Sequence, residues 1–552
     1  QTLLHALQDE GVSEIFGVPG DYTLGFNVAI SDEARQDISF VNMCGEESAG
    51  FAADAYARLK GMGCCLATFN VGSLKLLNAA ASCAAERVAV VFLVGVPGVK
   101  ERDDGIWKHH GWGKESYEVP RITFSTLTCA SAVLDNQFTA AADITRVLKA
   151  AKAQQRPVYI ELPRDMVNKV VLQKPHHRHQ LASLPAPPPP QLQHTFESWE
   201  RRMQQVQVDS AVTALIPLLN TCKSIALVAG VEVQRYKLQE IVLQLAKEID
   251  CNQQVLQTQA QADVDYKDSG EAGEQICSVV LGTTVLGKSA LVEEENGGVK
   301  CVGTFLGKVG NPHARAAVEG ADVVLLLGVL PSDTNFPLLG SNLLDKDEEI
   351  YTEGAGDRTV VRLYDNELHL TSCRQKLTLQ DVPLHAVLTG LEKGMHKVRE
   401  LGFFTFSDTE VRPVQAESHA YEPVPEPAVA ATVVAPLPPV PPLAQYSGVP
   451  IRVDAMFDVV RVLLRNVSPQ ASLLLIADTG DAIFGSLGLP ILPGMQDSYL
   501  ASVFYLTMGW AIPAAVGAHY AVPQRRPLVF EGDGSFQMTG QEVRYVSHVT
   551  ID

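Results

Sequence analysis

Four short stretches carry side chains able to do chemistry. In PLVFEGDGSFQMTGQEV (527–543), the apolar run Leu528, Val529 and Phe530 reads as a buried strand. It enters the tight turn Gly532-Asp533-Gly534-Ser535, and a helical pattern opens at Phe536. A strand feeding a glycine turn and a helix N-terminus is where α/β proteins hold phosphates, because free backbone N–H groups and the helix dipole favour anions. Asp533 offers the hard carboxylate oxygen that Mg²⁺ takes, and the glycines let the backbone come close. An Asp-Gly turn without function fits the same four residues. Glu46 stands at a helix start behind an apolar strand, where a carboxyl either reaches a buried ligand or complements the dipole. Asp21 follows Pro19-Gly20 and, taken alone, reads as a helix N-cap. His109-His110, taken alone, read as exposed loop histidines or half of a metal site, and Met508 in LTMGW reads as core.

The elements that must position these groups are strands and helices in alternation. Strands are expected at 13–18, 38–43, 64–68, 88–94 and 158–162, with a helix from Glu46 to Leu59 and an Ala-rich helix after the loop Asn70-Val71-Gly72. Almost purely apolar strands between helices imply a parallel sheet covered on both faces. The polyproline stretch LPAPPPPQLQ (184–193) reads as an extended linker. A second α/β pattern has strands at 225–229, 323–329 and 360–364. The Pro- and Ala-rich segment Glu422 to Leu443, with eight prolines, reads as a flexible connector. A third pattern has strands at 472–477 and around Leu528, and a helix around 511–520. The expected fold class is α/β: three parallel-sheet domains at 1–180, 205–395 and 449–552, joined by linkers at 181–204 and 396–448.

The chain has 552 residues, 46% of them hydrophobic, which suits about three domains. A net charge of −19 without a basic cluster argues against nucleic acid as a partner, since that affinity rests on neutralising phosphates. The ten cysteines (44, 64, 65, 83, 129, 222, 251, 277, 301 and 373) show neither CxxC nor Cys/His ligand spacing, and read as reduced thiols of an intracellular, cytoplasmic protein. No apolar run reaches membrane-spanning length. The chain opens at Gln1 inside a helical pattern, so a targeting segment would already be missing.

Taken together, the motifs resemble the thiamine diphosphate (ThDP) dependent 2-oxo acid decarboxylases, the pyruvate and indolepyruvate decarboxylase group. The resemblance runs through FGVPGDYTL (16–24), CGEESAGFAADAYARLKG (44–61), TFNVGSLKLLNAAA (68–81), LVGVPG (93–98), His109-His110 and RPVYIELP (156–163). It continues in ADVVLLLGVLPSDTNF (321–336), ADTGDAIFG (477–485), LTMGWAIPAAVGA (506–518) and EGDGSFQMTGQE (531–542). It implies a pyrimidine-binding domain, a middle domain and a diphosphate-binding domain. Active sites would form between the first domain of one subunit and the third of another, hence a homodimer or homotetramer.

The resemblance also assigns roles. Glu46 would bond the cofactor's aminopyrimidine and promote its imino tautomer. Asp21, His109 and His110 would form a proton relay, a task suited to histidine's ordinary titration near neutrality. Met508 would prop the cofactor in its bent shape. Thr479, Asp481, Gly509, Gly532, Gly534 and Ser535 would line the cofactor site, and Asp533 would hold Mg²⁺. Two positions depart from relatives: Asp481 stands where a hydroxyl is common near the diphosphate, and Leu506 replaces a glycine. The family's magnesium motif ends in an Asn pair about two dozen residues beyond its GDG. Only 19 residues follow Asp533, so that Asn and a later catalytic Glu are absent, and Glu542 is not that residue. The expectation is a truncated polypeptide that binds ThDP poorly and catalyses little.

The implied reaction is non-oxidative decarboxylation, with pyruvate to acetaldehyde as the leading substrate and aromatic or indole 2-oxo acids as alternatives. A carboligase such as acetolactate synthase and a non-catalytic homologue are the competing readings; the paired histidines argue against the first.

Overall fold

Three β-sheets organise the computed structural model, which describes residues 1–31, 38–102, 104, 106–171, 190–264, 278–293, 295–296, 299–307, 310–332, 358–372, 376–401, 452–466 and 473–544. The first contains β1 (Glu14–Gly17), β2 (Ser39–Asn42), β3 (Gly63–Thr68), β4 (Val90–Val96), β5 (Ala130–Val133) and β6 (Val158–Pro163). Its order is β2-β1-β3-β4-β6-β5 and every pairing is parallel. β3, β4 and β6 are buried along their whole lengths, as continuous apolar runs between helices require.

The second sheet holds β7 (Ser224–Ala229), β8 (Ser278–Thr283), β9 (Glu295–Asn296), β10 (Val299–Thr304), β11 (Val323–Leu327), β12 (Thr359–Tyr364), β13 (Glu367–Thr371) and β14 (Lys376–Leu379). Its order is β14-β13-β12-β11-β7-β8-β10-β9. The central strands are parallel, while β9, β13 and β14 add antiparallel edges that the sequence reading did not anticipate. The third sheet, β16-β15-β17, is parallel: β15 is Leu473–Ala477, β16 Tyr499–Ala501 and β17 Arg526–Phe530.

Three local expectations change. A helix spans Pro190–Thr221 and begins inside the stretch read as an extended linker; proline is compatible with a helix's first turn, where its missing N–H costs nothing. The Leu384–Leu401 helix likewise extends into the second expected linker. The helix after the glycine turn opens at Asp533 rather than Phe536, because Gly532 in extended geometry serves as its N-cap. Residues 184–189, the Glu422–Leu443 connector, Cys277 and Cys373 lie outside the described residues.

The first and third sheets are joined by one helix pair. The helix Glu46–Lys60 is rich in Ala and Gly, is buried from Ser48 to Arg58 and ends at Gly61, whose φ of 99° suits glycine. It crosses the equally small-residue helix Ala511–Ala521 so closely that a Cβ at Gly517 would lie 1.9 Å from the Ala52 carbonyl oxygen. Aromatic anchors from both parts, Phe51, Tyr56 and Trp510, share one core with β3 and β4. Among the described residues, no helix is long and apolar enough to cross a membrane.

Candidate active site

The chemically competent residues sit at the carboxyl ends of parallel strands, the usual location of sites in open α/β sheets. In the first sheet, Asp21 follows β1, Glu46 follows β2, the Thr68–Gly72 loop follows β3, and His109-His110 follow β4. In the third, Asp478 and Thr479 follow β15, Met508 follows β16, and Glu531 to Ser535 follow β17.

Asp21, His109 and His110 form one cluster. His109 Nε2 and Asp21 Oδ2 make a short hydrogen bond, and His110 Nε2 lies 3.5 Å from Asp21 Oδ1. Tyr22 stacks on the His109 ring with centroids 4.8 Å apart, and its hydroxyl lies 3.3 Å from Nδ1. Burial, and then the Asp21 charge, push the Tyr22 phenol up to about 12, so it stays a neutral donor. His110 has φ 66°, and Asn70 Nδ2 donates to its carbonyl at 2.9 Å. Asp21 Oδ1 is buried without a hydrogen-bond partner. Arg164, at the end of β6, stands over the Tyr22 ring and reaches within 4.0 Å of Asp21 Oδ2, while Glu101 grips its guanidinium.

Glu46 opens its helix, and its residue is only 8% exposed. Lys75 Nζ donates to Glu46 Oε2 at 3.1 Å. A Cβ at Gly72 would lie 3.1 Å from Glu46 Oε1, so glycine there keeps the carboxyl clear. The Thr68–Gly72 loop therefore touches Glu46 on one side and, through Asn70 and the Phe69–Tyr22 ring contact, the histidine cluster on the other.

In the third sheet a buried Asp478 organises the turn. Its carboxylate accepts from the amides of Thr479 (2.9 Å), Gly509 (3.3 Å) and Ala511 (2.9 Å), and from the Ser535 hydroxyl (2.7 Å). Ser535 is thus spent on Asp478. Gly509, at φ 79°, lets the chain pass the Asp533–Thr539 helix. Met508 is 43% exposed, Leu506 holds φ 56°, and Asp481 and Asp533 are exposed. Glu531 keeps both carboxyl oxygens buried without a partner, and burial, then the Asp478 charge, push it up to about 8.

The two halves meet through residues that drew no functional expectation. Glu542 accepts the Cys44 amide at 3.0 and 3.2 Å, two residues before Glu46. Asn78 donates to Glu47 at 2.7 Å and to the Thr507 hydroxyl at 3.1 Å. Asp478, Lys75, Arg164 and Glu542 were all missed. The only sequence signal for Asp478 and Arg164 was their place just past an apolar strand.

These residues fit the cofactor and cation that the sequence resemblance implies. Added Cβ atoms at Gly480 and Gly532 would meet nothing within 4 Å, so open space flanks both turns. The exposed Asp533 carboxylate suits a hard cation.

Residues 1–116 match the family model "Thiamine pyrophosphate enzyme, N-terminal TPP binding domain", and residues 490–548 match the corresponding C-terminal TPP binding domain. An indole-3-pyruvate decarboxylase of Azospirillum brasilense is 29% identical over 555 residues, covering 100% of this chain and 82% of that protein. Pyruvate decarboxylase 4 of Arabidopsis thaliana is 27% identical over 543 residues, covering 98% and 74%, respectively. Pyruvate decarboxylase 1 of Pisum sativum is 26% identical over 548 residues, covering 98% and 75%.

Proposed function

Since the chain belongs to the thiamine diphosphate-dependent 2-oxo acid decarboxylase family, we propose that it removes CO₂ from a 2-oxo acid without oxidation, taking up one proton and releasing the aldehyde. The observation that carries this reading is the shared loop, Thr68–Gly72, which approaches Glu46 at one end and contacts the Asp21–His109–His110 cluster through Asn70 and Phe69.

When bound, thiamine diphosphate supplies the carbon nucleophile and the electron sink that 2-oxo acid cleavage needs. Glu46 would exchange a proton with a ring nitrogen of the bound aminopyrimidine, a task for a carboxyl shielded from water. Asp21, His109 and His110 carry protons to the substrate carbon after CO₂ leaves. Their partly exposed side chains sit where a small acid can enter, and the neutral Tyr22 hydroxyl fixes the His109 ring. Asp533 would hold Mg²⁺, and Thr479 and the glycines of both turns would hold the diphosphate. Asp478 keeps those turns in register by its four hydrogen bonds rather than by touching the ligand. Met508 would be the bulky side chain against which the cofactor rests.

Pyruvate to acetaldehyde is the leading substrate reading. A larger, aromatic 2-oxo acid is the second, supported by the indole-3-pyruvate decarboxylase relative. Trp107, Trp112, Phe536 and Met538 are all at least half exposed near the candidate groups, which supports burial against a second copy in a homodimer or homotetramer. The test is a coupled alcohol dehydrogenase assay on the whole natural protein that carries this chain, with ThDP and Mg²⁺, given pyruvate, phenylpyruvate and indolepyruvate in turn. NADH-dependent aldehyde reduction with one of them supports the proposal. Consumption of the acid without aldehyde, or none with any, overturns it.

A further inference from the structure

We propose that Asp21, His109 and His110 form a binding site for one transition-metal ion of the Zn²⁺ class, separate from the magnesium position at Asp533, and that the ion silences the cluster as a proton relay. The three side chains offer two imidazole nitrogens and a carboxylate oxygen, all within 4.8 Å of one another. Tetrahedral zinc, with bonds of about 2.0–2.2 Å to N and O, places its ligand atoms roughly 3.3–3.6 Å apart. His110 Nε2 and Asp21 Oδ1 already stand 3.5 Å apart. The closer His109–Asp21 contact would have to open to that spacing, and the His109 side chain is 57% exposed.

The hydrogen bonds around His109 give the second argument. The Tyr22 hydroxyl donates to the His109 carbonyl at 3.3 Å and lies 3.3 Å from Nδ1, so it engages that nitrogen. With Nδ1 so engaged, Nε2 is the ring nitrogen that faces the Asp21 carboxylate, where a cation can stand between them. A proton serves in the relay; a metal ion takes the same place, and Tyr22 then acts as the outer partner that orients a ligating histidine. Asp21 Oδ1, buried and without a hydrogen-bond partner, is the atom such an ion would satisfy. Arg164 does not block it, because Glu101 already engages that charge. Two imidazoles and one carboxylate with open positions suit Zn²⁺ and kindred first-row ions such as Co²⁺ and Fe²⁺, whereas Mg²⁺ prefers oxygen and water.

The site does not depend on the decarboxylase reading; only its silencing effect does. The test titrates Co²⁺ into the cofactor-free full chain in excess Mg²⁺, follows the visible absorption bands, and displaces the ion with Zn²⁺ in a calorimeter. One ion per chain is expected, with affinity reduced roughly tenfold or more in each of His109→Gln, His110→Asn and Asp21→Asn. Asparagine tolerates the left-handed backbone at position 110, so that variant folds. Asp533→Asn should bind Co²⁺ like the unaltered chain. Absence of saturable one-per-chain binding, or binding that survives all three substitutions, overturns the site. In a chain that decarboxylates, Zn²⁺ should abolish aldehyde release and a chelator should restore it with Mg²⁺ present; full activity with the ion bound overturns the silencing.

Discussion

The Trp510 indole N–H donates to Asp54 Oδ2 at 3.0 Å across 456 residues of chain. The same carboxylate is held by Arg58 at 2.6 and 3.1 Å, and Arg58 also donates to the Ala501 carbonyl and lies 4.7 Å from the Trp510 ring centroid. This buried knot fastens the third sheet, with its glycine turn, onto the helix that begins at Glu46. Trp510→Phe keeps most of the apolar volume but leaves Asp54 short of a donor. It should cost about 1–3 kcal/mol, measured by chemical denaturation; an unchanged midpoint would contradict the role given to this contact.

Gly517 is the tightest point of the same junction. Its missing Cβ would overlap the Ala52 carbonyl at 1.9 Å, and that oxygen belongs to a helix backbone that cannot step aside alone. Gly517→Ala should therefore destabilise the protein by roughly 1–3 kcal/mol or more, although alanine is the better helix former. Thermal unfolding reads this directly, and a variant at least as stable as the unaltered chain would show that the helices do not cross so closely.

Buried carboxyls give the fold a pH dependence. Glu232 accepts the Asp365 amide with both oxygens, and burial, opposed mainly by the Arg87 charge, pushes it from 4.5 up to about 7. The fold thus prefers its neutral form. Its contribution is fully present below the unfolded value of 4.5 and is lost as pH rises through 7, by at most roughly 3 kcal/mol. Glu232→Gln keeps an acceptor for Asp365 and removes the titration. The stability difference between variant and parent should grow in the variant's favour from about pH 5 to pH 8; a pH-independent difference would refute it.

At the glycine turn, Asp533→Asn should weaken Mg²⁺-dependent ThDP retention by roughly tenfold or more. Gel filtration followed by a cofactor assay checks this, and retention equal to that of the parent chain would place the cation elsewhere.

Much of this was legible because it is local. Apolar runs such as Val88 to Val94 and Val158 to Leu162 foretold β4 and β6 within two residues, and strand-turn-helix punctuation marked Asp21, Glu46 and Asp533. The hairpin of β12 and β13 escaped notice. Its turn residues, Asp365 and Asn366, with φ of 54° and 61°, form the tight two-residue loop that Asp and Asn permit, but they follow a strand read as one of a parallel set. The helix at Pro190 was hidden by the prolines before it. What the sequence could not show were partners far apart in the chain. Glu542 meets Cys44 across 498 residues and Ser535 meets Asp478 across 57, and no spacing rule encodes either pair.

The most direct measurement is aldehyde release from a 2-oxo acid by the whole natural protein that carries this chain and by its Glu46→Gln variant, both saturated with ThDP and Mg²⁺. Glutamine preserves size and an acceptor but cannot exchange a proton, so the account predicts aldehyde from the parent and a loss of at least about a hundredfold in the variant. Equal rates for the two would contradict the assignment of Glu46, and with it the central claim about how this site works.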